Sequence, residues 1–96
     1  MSKVEEKENL IRRILKHKLI IEIRGKGLML ALILKKPDLT KKLVEGCLKN
    51  GLILFYLLFE PKAVRITPPL TISENEIKKG CKIILSELDK IEKYVH

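Results

Sequence analysis

The 96-residue chain has no tryptophan, two tyrosines and two phenylalanines. So few rings leave little on which nucleic-acid bases could stack, which argues against a nucleic-acid surface despite a formal charge of +8 and a pI near 9.6. Cysteine is scarce too: Cys47 and Cys81 each stand among apolar residues at helical spacing and read as small core residues. No disulfide framework and no Cys/His spacing for zinc is visible, so no metal is expected. The longest apolar run, Leu28 to Leu34, falls far short of the about 20 residues that cross a bilayer. Met1-Ser2-Lys3-Val4-Glu5-Glu6 is too charged for a signal peptide. The expectation is a cytoplasmic protein with neither membrane nor nucleic acid as partner.

What is present suits an ordinary folded unit. Hydrophobic residues make up 46% and charged residues 33%, enough for one core and a charged surface. At this length the chain reads as a single domain, 1–96, with a thin core. Sixteen of the twenty basic residues are lysines, spread along segments whose other faces are apolar and interleaved with acids, as solvated helix faces are.

The hydrophobic period gives the element order. Ser2 and Glu5 form a capping box, and Leu10, Ile11, Ile14 and Leu15 recur as on a helix running to about His17. Leu19, Ile21 and Ile23 alternate as on a strand. Gly25-Lys26-Gly27 makes a tight reversal into the apolar strand Leu28 to Leu34, and this hairpin is expected at the centre of the sheet. Pro37-Asp38 opens a second helix that presents Leu39, Leu43, Val44, Cys47 and Leu48 on one face; Asn50-Gly51 closes it. Leu52 to Phe55 reads as a third strand, Pro61 marks a loop, and a fourth strand leads to Arg65. A last helix runs from Glu74 to about Tyr94, with Ile77, Cys81, Ile84, Leu85, Leu88 and Ile91 in one stripe. The fold class is α+β, helix-strand-strand-helix-strand-strand-helix, with an antiparallel-rich sheet and its helices mainly on one face.

Arg65 is the residue that invites chemistry. In Val64-Arg65-Ile66 the two apolar side chains face one way and the guanidinium the other. Pro68 and Pro69 then stop sheet pairing, and Ser73-Glu74-Asn75-Glu76 is a second capping box, with Ile72 and Ile77 as its hydrophobic staple. A guanidinium on a stiff strand end is a planar, two-pronged donor for a carboxylate or phosphate. The plainer reading is a pair with a surface glutamate.

Three separated segments, Arg24-Gly25-Lys26-Gly27-Leu28-Met29, Asn50-Gly51-Leu52-Ile53 and Arg65-Ile66-Thr67-Pro68-Pro69-Leu70-Thr71-Ile72, resemble in order the C-terminal small domain of class III pyridoxal-phosphate aminotransferases. That family includes ornithine, acetylornithine, 4-aminobutyrate and putrescine transaminases. The resemblance implies amino transfer between an amino donor and a 2-oxo acid, with Arg65 as the substrate-binding residue that pairs with the carboxylate. It also implies that a large domain, absent from these residues, supplies the Schiff-base lysine and the pyridoxal phosphate site. No catalytic and no cofactor-binding residue is then expected on this chain, which should be inactive alone. Family enzymes are usually dimeric, and the missing large domain is the implied partner.

Other candidates are weaker. Lys26 lies between glycines at a wet hairpin tip, followed by a strand and not a helix, which suits neither a Schiff base nor a phosphate loop. His17 and His96 have no acid or nucleophile at a recognisable spacing. Phe55-Tyr56-Leu57-Leu58-Phe59 reads as core and docking surface. The alternative function is an autonomous binding or interaction module that uses the basic surface or the open face of the sheet.

Overall fold

Among the described residues seven elements follow in the expected order: α1 (Lys3–Ile14), β1 (Ile20–Lys26), β2 (Met29–Leu34), α2 (Pro37–Lys49), β3 (Phe55–Leu57), β4 (Glu60–Ile66) and α3 (Glu74–Val95). The computed structural model describes residues 2–52, 55–57, 60–69 and 71–95, except for the side chains of 55–57, 60, 61, 94 and 95. The four strands form one antiparallel sheet in the order β1-β2-β4-β3. The three helices pack on one face of it, and the core forms between them from Leu30, Leu32, Leu34 and Val64 of the sheet with Leu43, Cys47, Cys81 and Leu88 of the helices. Among the described residues no helix is long and apolar enough to cross a membrane.

The capping box at Ser73 forms in full, and the one at Ser2 in half. The Ser2 hydroxyl accepts the Glu5 N–H at 3.2 Å, while the Glu5 carboxylate accepts the Ser2 hydroxyl and not its backbone N–H. At α3 the reciprocal pair is complete: Ser73 Oγ accepts the Glu76 N–H and Glu76 Oε1 accepts the Ser73 N–H, both at 3.1 Å. The α1 helix ends at Ile14, not near His17. Leu15 leaves the helical region at φ −79° and ψ 76° and enters the core, and the next residues turn, with His17 Nδ1 accepting the Leu19 N–H.

The hairpin is not central. β1 is an edge strand, and β2 lies between it and β4. The charged residues Glu22, Arg24 and Lys26 suit an edge, whereas the apolar β2 is suited to neighbours on both sides. The expected alternation of Leu19, Ile21 and Ile23 also fails, because an irregularity between Ile20 and Glu22 resets the register. Ile20 and Ile23 pack on the core, and Ile21 is left 58% exposed. The reversal itself is Gly27-Leu28, since Lys26 pairs with Met29. Gly27, at φ 65°, stands first in this two-residue turn, where a hairpin of the II′ kind needs glycine. Gly25 is still in the strand at φ 111°, and a Cβ there would lie 2.1 Å from the Met29 carbonyl oxygen.

Two further expectations change. Leu48 is 59% exposed, because α2 turns it past the stripe of Leu39, Leu43 and Cys47. Pro61 lies inside β4 and not in a loop. Its missing N–H is tolerated there because β2 pairs with β4 only over Ala63 to Ile66, and the β3 register shifts between the Leu57–Glu60 and Tyr56–Val64 pairs, so Pro61 sits in an irregularity outside both ladders. Of the strand expected over Leu52 to Phe55, Phe55 belongs to β3 and Leu52 does not; residues 53 and 54 lie outside the described residues.

Candidate substrate-binding face

The sheet register brings together residues far apart in sequence. Arg24 of β1 pairs with Ala31 of β2, Ala31 with Arg65 of β4, and Arg65 with Phe55 of β3. Directly paired residues share a face, so Arg24, Ala31 and Arg65 form one row on the side away from the helices. The core-facing neighbours confirm the parity: Val64 is fully buried and Ile66 packs on the core, while Arg65 between them is exposed. Among the described side chains none pairs with the Arg65 guanidinium, and the side chain of Glu60 on the same strand lies outside them. Arg24 is held through Nε by Glu22 Oε1 at 2.5 Å, on the same face.

The glycine turn is fixed from α1 by two residues that sequence reading did not single out. Arg12 donates from Nη1 to the Ile23 carbonyl and from Nη2 to the Gly25 carbonyl, each at 2.7 Å, and from Nε to Glu8 at 2.8 Å. Glu8 in turn accepts the Gly27 N–H at 2.6 Å. That N–H, followed by the Arg12 guanidinium, holds the Glu8 carboxyl below its usual range. The spacing of Glu8 and Arg12 by four residues is a helical ion-pair signal, but their reach to the hairpin has no trace in the sequence. Lys26 is exposed at the end of β1.

Both cysteines are buried and free. Burial pushes the Cys81 thiol up to about 11, and burial with the nearby Glu87 charge pushes Cys47 up to about 12, so neither is a nucleophile at neutral pH. His17, Asp89 and Glu92 bring potential ligand atoms within 4.8 Å of one another. However, Nδ1 of His17 already accepts the Leu19 N–H, which places the proton of the neutral ring on Nε2, against Asp89 at 2.8 Å. A metal on Nε2 would require the other tautomer, with two N–H groups facing each other, so the cluster is a tie between the turn and α3. The aromatic side chains of Phe55 and Tyr56, together with Leu58, Phe59 and His96, lie outside what is described.

A sequence profile of the family described as Aminotransferase class-III matches residues 3–88. This chain belongs to the class III aminotransferases. The mitochondrial acetylornithine aminotransferase of Alnus glutinosa is 33% identical over 88 residues, covering 92% of this chain and 19% of that protein. Succinylornithine transaminase of Yersinia pseudotuberculosis is 32% identical over 78 residues, covering 79% of this chain and 18% of that protein. Among solved structures, acetylornithine aminotransferase from Elizabethkingia anophelis superposes with a TM-score of 0.79 at 29% identity, over 91% of this chain and 24% of that one. The class III chain thus spans about a fifth of the length of the curated relatives it matches.

Proposed function

We propose that these residues are the small-domain part of a pyridoxal-phosphate-dependent aminotransferase, and that Arg65 binds the carboxylate of its amino acid or 2-oxo acid substrate. The observation that carries this reading is a guanidinium on a central strand, exposed on the helix-free face and without a partner among the described residues. A planar fork held there can take a carboxylate through two parallel hydrogen bonds. Pyridoxal phosphate, when bound, supplies the electron sink for amino transfer. The lysines of this chain do not fit the Schiff-base role: none is buried, Lys7 is half-buried and the rest are exposed, whereas that role needs a desolvated amine. In this reading the cofactor and its lysine belong to a large domain outside these 96 residues.

The test is to place this chain in the corresponding segment of the Elizabethkingia anophelis acetylornithine aminotransferase and measure oxo-acid binding in the half-reaction. Arg65→Ala weakens binding by about 1.5 to 3 kcal/mol, the worth of a hydrogen bond to a charged group, and Arg65→Lys loses less. Unchanged oxo-acid affinity in Arg65→Ala would remove this residue from the site.

A further inference from the structure

The His17 ring closes the turn between α1 and β1, and its side chain is 9% exposed. Nδ1 accepts the Leu19 N–H at 3.1 Å, and Nε2 meets Asp89 Oδ1 of α3 at 2.8 Å. A backbone N–H can only donate, so the bond to Leu19 lasts while Nδ1 keeps its lone pair. We propose that His17 is a proton-operated latch: the neutral ring ties the start of β1 to α3, and a second proton releases the turn while the ring stays with α3. What it releases is limited. The Ile20 N–H bonds the His17 carbonyl at 3.1 Å and the Lys35 N–H bonds the Leu19 carbonyl at 3.2 Å, so this turn sets where the edge strand β1 begins. The far end of β1 is held separately, by Arg12 on the Ile23 and Gly25 carbonyls.

In the doubly protonated ring Nδ1–H would face the Leu19 N–H, and a ring this buried has little water to take either donor. The α3 side offers the alternative. Glu92 brings a carboxylate oxygen within 4.8 Å of the same His17 and Asp89 atoms, so a charged ring has two acids to turn toward. The cations near the ring are placed differently. Lys16 and Lys18 flank it in the chain and Lys35 follows β2, all three exposed, where solvent and salt screen them. In the last turn of α1, Arg12 reaches the hairpin and Arg13 lies beside Glu74 and Lys78. Protonation therefore removes a partner on the turn and strengthens one on α3, which makes the ring an element with two arrangements.

The 96-residue chain can be tested directly by NMR, with His96→Gln so that one ring titrates. The His17 ring is followed from about pH 8 to about pH 5, the range in which histidine changes charge. Leu19 is followed by amide exchange, expressed as protection relative to an unstructured peptide at the same pH. Leu19 protection is expected to fall about tenfold, the worth of one hydrogen bond, at the midpoint of the ring titration, while the amides of the central strand β2 keep theirs. His17→Asn, whose side-chain oxygen can accept the N–H two residues on without titrating, should hold Leu19 protection constant. A ring that titrates and leaves Leu19 unchanged, a ring that never titrates in this range, or a Leu19 loss that persists in His17→Asn overturns the latch. Loss of protection in β2 at the same midpoint overturns it as well, since the acid transition would then be unfolding of the whole chain.

Discussion

At the scale of the residue, several side chains sit where a single atom decides the outcome. Thr40 is 1% exposed on the buried face of α2, and its hydroxyl has no hydrogen-bond partner among the described residues. Thr40→Val replaces that hydroxyl with a methyl group of similar shape and removes the cost of a buried unpaired group. A gain of about 1 kcal/mol is expected in urea denaturation. Gly25 is the opposite case. Gly25→Ala combines a positive φ with a Cβ 2.1 Å from a backbone oxygen that has no room to move within the hairpin, and should cost about 2 to 3 kcal/mol. Gly46 is in a helix, where alanine ordinarily gains about 1 kcal/mol, but its Cβ would meet Glu87 Oε1 at 2.1 Å. Glu87 is 8% exposed and accepts from Asn50 and Lys90, so it cannot yield freely. Gly46→Ala is therefore destabilising alone and stabilising in a Glu87→Ala background, a sign change that a double-mutant cycle reads directly.

At the scale of the element, α1 acts as a clasp on the β1–β2 hairpin through Glu8 and Arg12. Arg12→Ala removes two charge-assisted bonds to the Ile23 and Gly25 carbonyls and should cost about 1.5 to 3 kcal/mol. Faster hydrogen exchange should follow along the edge strand. The Glu8 half of the clasp titrates. Its folded-state pKa lies below the ordinary value of 4.5, so in the window between the two the unfolded chain binds more protons than the folded one. The stability from Glu8 is complete above that window and is lost as pH falls through the lowered pKa. The difference in stability between the wild type and Glu8→Gln should therefore shrink on acidification; a constant difference from pH 7 to pH 3 would mean that the clasp does not depend on the carboxylate. Local signals made much at this scale legible: the capping box at Ser73 and the element order follow from residues close in sequence. The place of β1 at the edge, the irregularity at Ile21 and the entry of Pro61 into β4 do not, because each depends on which strand lies alongside. The candidate site divides the same way. Arg65 stands out by its neighbours on one strand, whereas Arg24 joins it only through the pairing of three strands.

At the scale of the whole molecule, substrate and cofactor are divided in our proposal between parts, with a sheet face of this chain for the substrate and a separate large domain for the cofactor. A Schiff-base lysine must lose its proton near neutral pH, and burial is the effect that drives it there. With no buried lysine, adducts with free pyridoxal phosphate should be weak and spread over many exposed amines. Titration of the purified chain is therefore expected to give a non-saturating absorbance change of similar size in the wild type and in Lys26→Ala. A stoichiometric, saturable band lost in Lys26→Ala would instead show a cofactor site at the hairpin tip, and the assignment of that site to a separate large domain would fall. Two titrations divide the chemistry between parts: oxo-acid binding at Arg65 asks what this face holds, and the cofactor titration asks what it must receive from elsewhere. Carboxylate binding lost in Arg65→Ala without specific cofactor binding is the combination that a substrate-binding small domain requires, and it separates that reading from a basic interaction module, whose anion binding would follow charge alone and fall steeply with salt for every anion alike.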